Sequence, residues 1–301
     1  MTARGTVSLD AGRYPLVALV VFSSLLFLLE KHVYGAAETS LAILDAGIEP
    51  SEDAPFVSPD YLFYPGDYAY FRFQVAGFAV KSGETAEVRK ISLSYIITPE
   101  DAHDVALTPS VSGAIDEELN PEDKNWTPKR RASFLLPSFV AAGKLHLHVV
   151  VKDLVAKSET AGDFPFRIGG VEIVPSPAVT VENFRFFRKE NDRQSLDVAA
   201  YSPGDTVYAR FNMAGYQLAP ENTYRLAYGL TVYRPDGKTF LDQPTAAELT
   251  DGSFYPAQFV PGSINVITPR DSERGEYTIV LTVRDLVAGS NYQIKQVFSL
   301  E

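Results

Sequence analysis

The chain has 301 residues, of which 46% are hydrophobic and 12% aromatic, so it can fill the cores of about two domains and is not a disordered chain. Acidic residues outnumber basic residues by 38 to 27, and the net charge of −11 argues against a nucleic-acid partner, because phosphate binding needs a clustered positive surface. The absence of cysteine excludes a disulfide framework, thiolate chemistry and a lipid-modified N-terminal cysteine.

The N-terminal segment has the order of features that is typical of a secretory signal peptide. Arg4 and Arg13 precede an apolar run at residues 16–29, and small residues follow this run. The run is shorter than the roughly 20 residues that a membrane-spanning helix needs. We therefore predict that residues 1–37 form a hydrophobic export helix that is removed as a signal peptide. The alternative is an uncleaved inner-membrane anchor at residues 14–31, and both interpretations predict an extracytoplasmic protein, in the periplasm, at the cell surface or secreted.

The rest of the chain repeats itself once. The motif Tyr-Pro-Gly-Asp at residues 64–67 returns as Ser-Pro-Gly-Asp at residues 202–205, and the motif Asp-Leu-Val-Ala also occurs once in each half. A repeat of this length can close its own hydrophobic core, whereas solenoid repeats of about 20 to 50 residues cannot. We therefore predict two similar domains at residues 38–169 and 177–301, joined by a short linker rich in glycine and proline.

Each copy carries the alternating pattern of half-buried strands. Apolar residues occupy every second position around Phe73 in the first copy and around Phe211 in the second. Similar short stretches recur between glycines and prolines, and no helical periodicity follows residue 37. The pattern predicts an all-β fold of two tandem β-sandwich domains after the N-terminal helix. The predicted equivalent core residues are Phe73 with Phe211 and Val151 with Val283.

The end of the second copy resembles the closing hairpin of bacterial PKD-like and other immunoglobulin-like extracytoplasmic domains. Residues 275–285 read Gly-Glu-Tyr-Thr-Ile-Val-Leu-Thr-Val-Arg-Asp, which follows the family pattern of Gly-x-Tyr, alternating hydrophobic residues and a final Val-x-Asp. The first copy departs from the pattern, because Leu145 stands where the second copy has Tyr277. The resemblance implies that the two tandem domains are immunoglobulin-like antiparallel β-sandwich domains, and it implies an extracytoplasmic setting and non-catalytic recognition or spacing.

The stretch around the single tryptophan, Trp126, is the most distinctive difference between the copies. Acidic residues precede Trp126, and a basic run that includes Arg130 follows it. A large aromatic side chain between charges of both signs is typical of recognition patches, so we predict Trp126 and Arg130 as candidate partner-binding residues. In the alternative interpretation Trp126 plugs one end of its sandwich, and the sequence favours neither.

Outward-facing tyrosines are the second group of candidate binding residues. Tyr68 and Tyr70 lie in the polar phase of the strand that carries Phe73, and Tyr208 has the same phase in the second copy. A flat platform of exposed aromatic rings stacks on sugar rings, so these tyrosines also support a carbohydrate-binding module as an alternative function.

Two pairs of polar residues are candidate metal ligands, and we predict that neither pair binds a metal. His146 and His148 share one face of a strand, where a zinc site or a metalloenzyme would require a third ligand such as His103. Both histidines alternate with apolar residues, so we predict that they face solvent and hold no metal. Asp153 and Asp285 stand at equivalent strand ends, and we predict that each accepts backbone hydrogen bonds from the next connection instead of binding calcium.

The chain lacks the common catalytic motifs, including the Gly-x-Ser-x-Gly elbow, His-Glu-x-x-His and a phosphate-binding glycine loop. We therefore predict a non-catalytic secreted or cell-envelope protein without a cofactor, which binds or scaffolds another envelope or extracellular protein. The alternatives are a carbohydrate-binding module with a polysaccharide partner, and a two-domain periplasmic chaperone that adds a strand to its client. The N-terminal segment is the only part expected to meet a membrane. The chaperone needs basic residues in the cleft between its domains, for which the candidates are Arg185, Arg188, Lys189 and Arg193.

Overall fold

A computed structural model of the protein describes residues 40–82, 89–120, 122–123 and 125–301. These residues form two tandem immunoglobulin-like β-sandwiches, so the predicted β-sandwich fold class is confirmed. The predicted export segment lies outside the described residues. Within the described part of the chain, no helix is long and apolar enough to cross a membrane.

The first sandwich is built from a three-stranded sheet and a larger sheet. Its strands are β1 Ala42–Glu49, β2 Leu62–Phe63, β3 Tyr68–Ala76, β4 Lys81–Ser82, β5 Arg89–Asp101, β6 Val111–Leu119, β7 Lys129–Leu135, β8 Gly143–Asp153 and β9 Ser158–Ile168. The small sheet has the order β1-β3-β7, and the larger sheet has the order β2-β9-β8-β5, with β4 and β6 also paired to β5.

The second sandwich has the same plan. Its strands are β10 Thr180–Phe187, β11 Ala200–Tyr201, β12 Thr206–Ala214, β13 Thr223–Tyr233, β14 Thr239–Gly252, β15 Phe259–Ile267, β16 Gly275–Asp285 and β17 Ser290–Leu300, with one 3₁₀ turn at Pro220–Asn222. The small sheet has the order β10-β12-β15, and the larger sheet has the order β11-β17-β16-β13-β14.

The strand orders of the two sandwiches match, except that the two-residue strand β4 has no counterpart in the second sandwich. Sheet β1-β3-β7 corresponds to β10-β12-β15, and β2-β9-β8-β5-β6 corresponds to β11-β17-β16-β13-β14. The short strands β2 and β11 each pair in parallel with the last strand of their sandwich. Two packed sheets with this crossing order are the immunoglobulin-like arrangement. The repeated motifs therefore lie in a repeated topology, while the predicted domain bounds, 38–169 and 177–301, remain predictions.

The Pro-Gly-Asp turn before the third strand of each sandwich explains why this motif is repeated. Gly66 has a φ of 87° and Gly204 a φ of 100°, in the region that favours glycine at the third position of a type II turn. In both copies the amide of the aspartate donates to the carbonyl oxygen before the proline, at 3.0 Å. The alternation that follows is confirmed, because the predicted core residues are all buried: Phe73, Phe211, Val151 and Val283.

Two buried aspartates fix the last hairpin of each sandwich. The Oδ1 atom of Asp153 accepts the amides of Val155 and Ala156 at 2.8 and 2.9 Å, and its Oδ2 atom accepts the amide of Ala79 at 2.6 Å. Asp285 makes the same three kinds of bond with equivalent residues. A buried carboxylate needs such donors to offset its lost hydration, so the predicted structural role is confirmed for both residues.

One core position distinguishes the two closing hairpins. The Oη atom of Tyr277 donates to the carbonyl oxygen of Glu273 at 2.9 Å, which is the tyrosine corner of immunoglobulin-like folds. Leu145 occupies the corresponding place in β8 and has no hydroxyl group. The departure from the hairpin pattern at Leu145 therefore removes one hydrogen bond and leaves a buried leucine in its place.

Candidate functional site

Trp126 and Arg130 lie at one end of the first sandwich, where β6 leads into β7. Trp126 is partly buried and packs against the first hydrophobic core. Arg130 occupies the inward phase of β7, and its Nη2 atom lies 2.8 Å from Oε1 of Glu117 on β6. This ion pair joins the two sheets at the rim of the sandwich. These contacts give both residues structural partners, and their role in partner binding remains a prediction.

Tyr68 and Tyr70 lie on the outer face of the small sheet of the first sandwich. Tyr68 is exposed and Tyr70 is partly buried, and their ring centroids are 6.3 Å apart with a 36° angle between the ring planes. Farther along the same face, the buried carboxylate of Glu49 is held by Arg72, whose Nε atom lies 2.9 Å away, and by Arg131. The outer face is therefore charged in its middle and apolar at the Tyr68 end.

The four predicted partner-binding residues do not form one site. Tyr68 pairs with Leu135 at the end of β7, whereas Gln74 pairs with Lys129 at its start, close to Trp126. Gln74 lies six positions after Tyr68, which corresponds to roughly 20 Å of strand. The tyrosines and the tryptophan consequently lie at opposite ends of the first sandwich.

The Tyr68 end of the first sandwich meets the second sandwich, and the two exchange aromatic side chains. Tyr255, in the connection between β14 and β15, is buried in the first core, and its Oη atom donates to Oδ2 of Asp101 at 3.0 Å. Phe139, in the connection between β7 and β8, packs against the second core, with its ring centroid 6.0 Å from that of Phe259. Gln258 adds two hydrogen bonds to the backbone of the Phe139 connection.

The surroundings of Tyr255 favour the protonated, uncharged form of its phenol. Burial raises the pKa of the Tyr255 phenol, and the negative charge of Asp101 raises the pKa further. Asp101 also accepts the amides of His103 and Val105, at 2.7 and 3.1 Å. The carboxylate of Asp101 therefore fixes its own turn and holds the second sandwich through one tyrosine.

An exposed apolar surface borders this contact, and we call it the junction surface, defined by Tyr68, Leu135, Pro137 and Phe254. Leu135 is the cross-strand neighbour of Tyr68 and also lines a groove of about 280 Å³ together with Pro137 and Phe254. Tyr68, Leu135 and Phe254 expose 52%, 49% and 55% of their surfaces. Exposed apolar residues that lie together in this way mark interaction sites more often than single ones do.

The second sandwich lacks this surface at the equivalent place. Ile267 pairs with Thr206 in the register that joins Leu135 to Tyr68, and the turn residue Tyr64 corresponds to Ser202. Ile267 lies at the end of β15 that is distant from the Phe139 contact, because that contact involves Phe259 at the start of β15. The shared backbone therefore carries the aromatic surface in only one of the two copies.

Sequence reasoning found Tyr68 but missed Leu135, Phe254 and the buried Tyr255. A signal for Leu135 was present, because it is an apolar residue in the outward phase of β7, where Arg131 and Ser133 precede it. Tyr255 and Phe254 are neighbours in a connection that replaces the Trp126 stretch of the first copy. Which of the two becomes buried depends on the approach of the other sandwich, and no local pattern encodes that approach.

The basic cluster predicted near the linker lies away from the contact between the sandwiches. Strand β10 begins on the side of that contact and ends at Phe187, roughly 25 Å farther along. Arg188, Lys189 and Arg193 follow this far end, and Nη1 of Arg188 lies 3.7 Å from Oδ2 of Asp205. Arg188, Lys189 and Arg193 are therefore not brought to the cleft where a periplasmic chaperone would need them, and Arg185 lies within β10, where it pairs with Arg210 of β12.

A second cavity, of about 340 Å³, lies beside β15 in the second sandwich. Tyr208, Arg210 and Tyr228 line it, and the guanidinium carbon of Arg210 lies 3.5 Å from the centre of the Phe187 ring. Among the described residues that line this cavity, Glu190 is the one carboxylate. Glycoside hydrolysis requires two opposed carboxyl groups, so this cavity offers no support for that reaction.

The two histidines of the His-x-His motif face different neighbours. The Nε2 atom of His146 lies 3.1 Å from Oε2 of Glu100 and 3.7 Å from Oδ1 of Asp104, whereas Nδ1 of His148 lies 2.7 Å from Oδ1 of Asp163. The two imidazoles therefore do not converge as the motif suggested. His103 contributes its backbone amide to Asp101.

Comparison with known proteins gives no family assignment. No family model matches the chain, and no curated protein matches it in sequence. The C-terminal domain of the Streptococcus agalactiae antigen I/II polypeptide BspA is 11% identical, with a TM-score of 0.28 over 84% of this chain and 99% of that chain. The C-terminal domain of the Streptococcus pyogenes antigen I/II-family protein AspA is 12% identical, with a TM-score of 0.28 over 87% and 99%.

A third similar structure is a family 123 glycoside hydrolase from Clostridium perfringens. It is 11% identical, with a TM-score of 0.29 over 41% of this chain and 27% of that chain. TM-scores of this size support no inference about fold or function, so the function is argued below from the residues themselves.

Proposed function

We propose that the protein is a non-catalytic binding module of the cell envelope or extracellular space, and that it binds another protein through the junction surface. The observation that carries this proposal is the exposed apolar surface at Tyr68, Leu135 and Phe254, which crosses from the first sandwich to the second. Aromatic residues in a partly enclosed groove are the usual anchors of protein interfaces. Because both sandwiches contribute, the surface exists only while they are held together.

The geometry of the tyrosines favours a protein over a polysaccharide as the partner. Sugar rings stack on flat, coplanar and accessible aromatic rings, but the rings of Tyr68 and Tyr70 are inclined by 36° and Tyr70 is partly buried. Tyr208 lies in the other sandwich, beside the cavity that also contains Arg210. A groove beside a tilted ring pair is better suited to an apolar side chain of a protein partner.

The non-catalytic and extracytoplasmic parts of the proposal rest on the sequence. The chain has no common catalytic motif, no cysteine and an N-terminal run of signal-peptide character. An envelope location is also compatible with a net charge of −11, which keeps an exported domain soluble. Arg188, Lys189 and Arg193 follow the end of β10 that is distant from the contact between the sandwiches. This position favours the binding role over a periplasmic chaperone, which would need basic residues in the cleft.

A matched pair of variants tests the proposal. Leu135→Lys places a charge in the junction surface, and Ile267→Lys places the same charge at the equivalent register position of the second sandwich. Both positions are exposed, so we expect neither change to lower the melting temperature noticeably. The measurement is capture of proteins from an extract of the source envelope and culture medium, with the bound proteins quantified by mass spectrometry.

The expected result is specific to one variant. A protein retained by the wild type and by Ile267→Lys should be reduced at least about fivefold with Leu135→Lys, which corresponds to a loss of about 1 kcal/mol of binding free energy. Equal retention by all three proteins would contradict the role of the junction surface. Retention of polysaccharide instead of protein would support the carbohydrate-binding alternative.

A further inference from the structure

Although the sequence alone predicts no metal at His146, we propose that Glu100, Asp104 and His146 form a binding site for a divalent transition-metal ion, for which zinc is the best match. The donor atoms of the three side chains lie within 4.8 Å of one another. An imidazole and two carboxylates are a ligand set that zinc accepts at catalytic-type sites with three protein ligands and an open fourth position. The site lies in the first sandwich only, because Thr278 of β16 stands where β8 carries His146.

The spacing of the donor atoms matches a tetrahedral ion. Zinc bonds of about 2.1 Å place neighbouring ligand atoms roughly 3.4 Å apart in a tetrahedron. The Nε2 atom of His146 lies 3.1 Å from the Glu100 carboxylate and 3.7 Å from that of Asp104, so these two distances bracket the ideal value. All three donor atoms lie within 4.8 Å of one another, so the remaining pair is also within reach of one ion.

The backbone around the site is fixed by bonds that do not involve the three ligands' side chains. Glu100 and His146 are cross-strand partners in the β5–β8 pair. Asp104 lies in the turn after β5, where its amide donates to the carbonyl oxygen of Asp101 at 3.1 Å and Asp101 caps the same turn. A ligand set held in this way loses little conformational entropy when an ion binds.

Burial distinguishes this cluster from an ordinary surface ion pair. The side chains of His146 and Glu100 expose 20% and 18% of their surface, so water competes weakly for an ion between them, while Asp104 is open to solvent and provides access. An imidazole ligand also selects against calcium and magnesium, which prefer oxygen donors alone.

His148 supplies an internal control. It is two residues from His146 on the same strand, but its ring faces a single carboxylate, that of Asp163 at 2.7 Å. A histidine and one carboxylate provide only two ligands, so His148 should not hold zinc. Comparing His146 with His148 therefore distinguishes zinc binding by the three-residue cluster from the general affinity of any imidazole for zinc.

The test is equilibrium dialysis of the full-length chain against zinc chloride after treatment with a chelator, with protein-bound zinc measured by elemental analysis. The wild type should bind one zinc ion per chain. His146→Ala and the exposed variant Asp104→Ala should each weaken binding at least about tenfold, while His148→Ala should bind as the wild type does.

Three results would overturn the proposal. The first is a wild type that binds no more zinc than a His146→Ala/Asp104→Ala double variant. The second is a wild-type affinity that is unchanged in Asp104→Ala, which is the change at an exposed turn and leaves the core untouched. The third is a loss of zinc binding with His148→Ala that equals the loss with His146→Ala, because it would show that zinc does not depend specifically on the cluster of Glu100, Asp104 and His146.

Discussion

The connection between β6 and β7, at residues 120–128, corresponds to the connection between β14 and β15, at residues 253–258. Each carries a large aromatic residue, Trp126 in the first case and Tyr255 in the second. Trp126 packs against the core of its own sandwich, whereas Tyr255 is buried in the core of the other sandwich and donates a hydrogen bond to Asp101. The same connection of the repeat thus packs on its own sandwich in the first copy and on the other sandwich in the second copy.

This difference separates what folding requires of both copies from what it leaves free to change in each copy. The strands must keep their alternation to fold, so they agree between the copies, whereas a connection is free to change its contacts. The Tyr255 connection fixes the second sandwich on the first and brings Phe254 beside Leu135. The proposed binding surface is therefore a consequence of the way in which the two copies meet.

The largest expected effect tests the equivalence of the two cores. Phe73→Ala and Phe211→Ala each remove a fully buried ring from equivalent strands, and each should lower the free energy of unfolding by about 3 to 5 kcal/mol. Chemical denaturation followed by circular dichroism measures both. An unchanged free energy of unfolding in one of the two variants would contradict the equivalence of the cores, because it would show that the two positions do not contribute equally to stability.

The next effect tests the contact between the sandwiches. Tyr255→Phe keeps the ring but removes the hydroxyl, so the buried Asp101 carboxylate loses one donor, and we expect unfolding to become easier by about 2 kcal/mol. Phe254→Ala in the same connection is the control, since Phe254 is exposed and its loss should change stability by less than about 0.5 kcal/mol. Equal stability of the two variants would mean that the Asp101 bond contributes nothing to the contact.

The smallest expected effect separates the two interpretations of Trp126. Its partial burial against the first core favours a closing role, so Trp126→Ala should lower the free energy of unfolding by about 1.5 kcal/mol and leave partner capture unchanged. Thermal unfolding and the capture assay measure the two quantities on the same preparation. Reduced capture with an unchanged melting temperature would instead support Trp126 as a recognition residue.

Much of each sandwich could be predicted from the sequence because its determinants are local. The two-residue alternation around Phe73 and Phe211 fixes the buried face of a strand, and the positive φ of Gly66 and Gly204 follows from the turn type that Pro-Gly favours. The roles of Asp153 and Asp285 were also predictable, since an aspartate at a strand end has backbone donors within reach.

The candidate site could be predicted only in part because it depends on contacts between distant segments. Tyr68 was identified from its outward phase, but the bond from Tyr255 to Asp101 joins residues 154 positions apart. The pairing of His146 with Glu100 and Asp104, and not with His148, follows from strand register and from the turn after β5. Register and inter-domain contacts have no signature in a single strand.

Site-specific photo-crosslinking tests the central claim, that the protein binds another protein through the junction surface, most directly. A benzophenone amino acid is placed at position 135 in one preparation and at the equivalent position 267 in a second, and both are irradiated in the source envelope. We predict a protein adduct from position 135 that is absent from position 267. No protein adduct at position 135, or the same adducts from both positions, would contradict the claim.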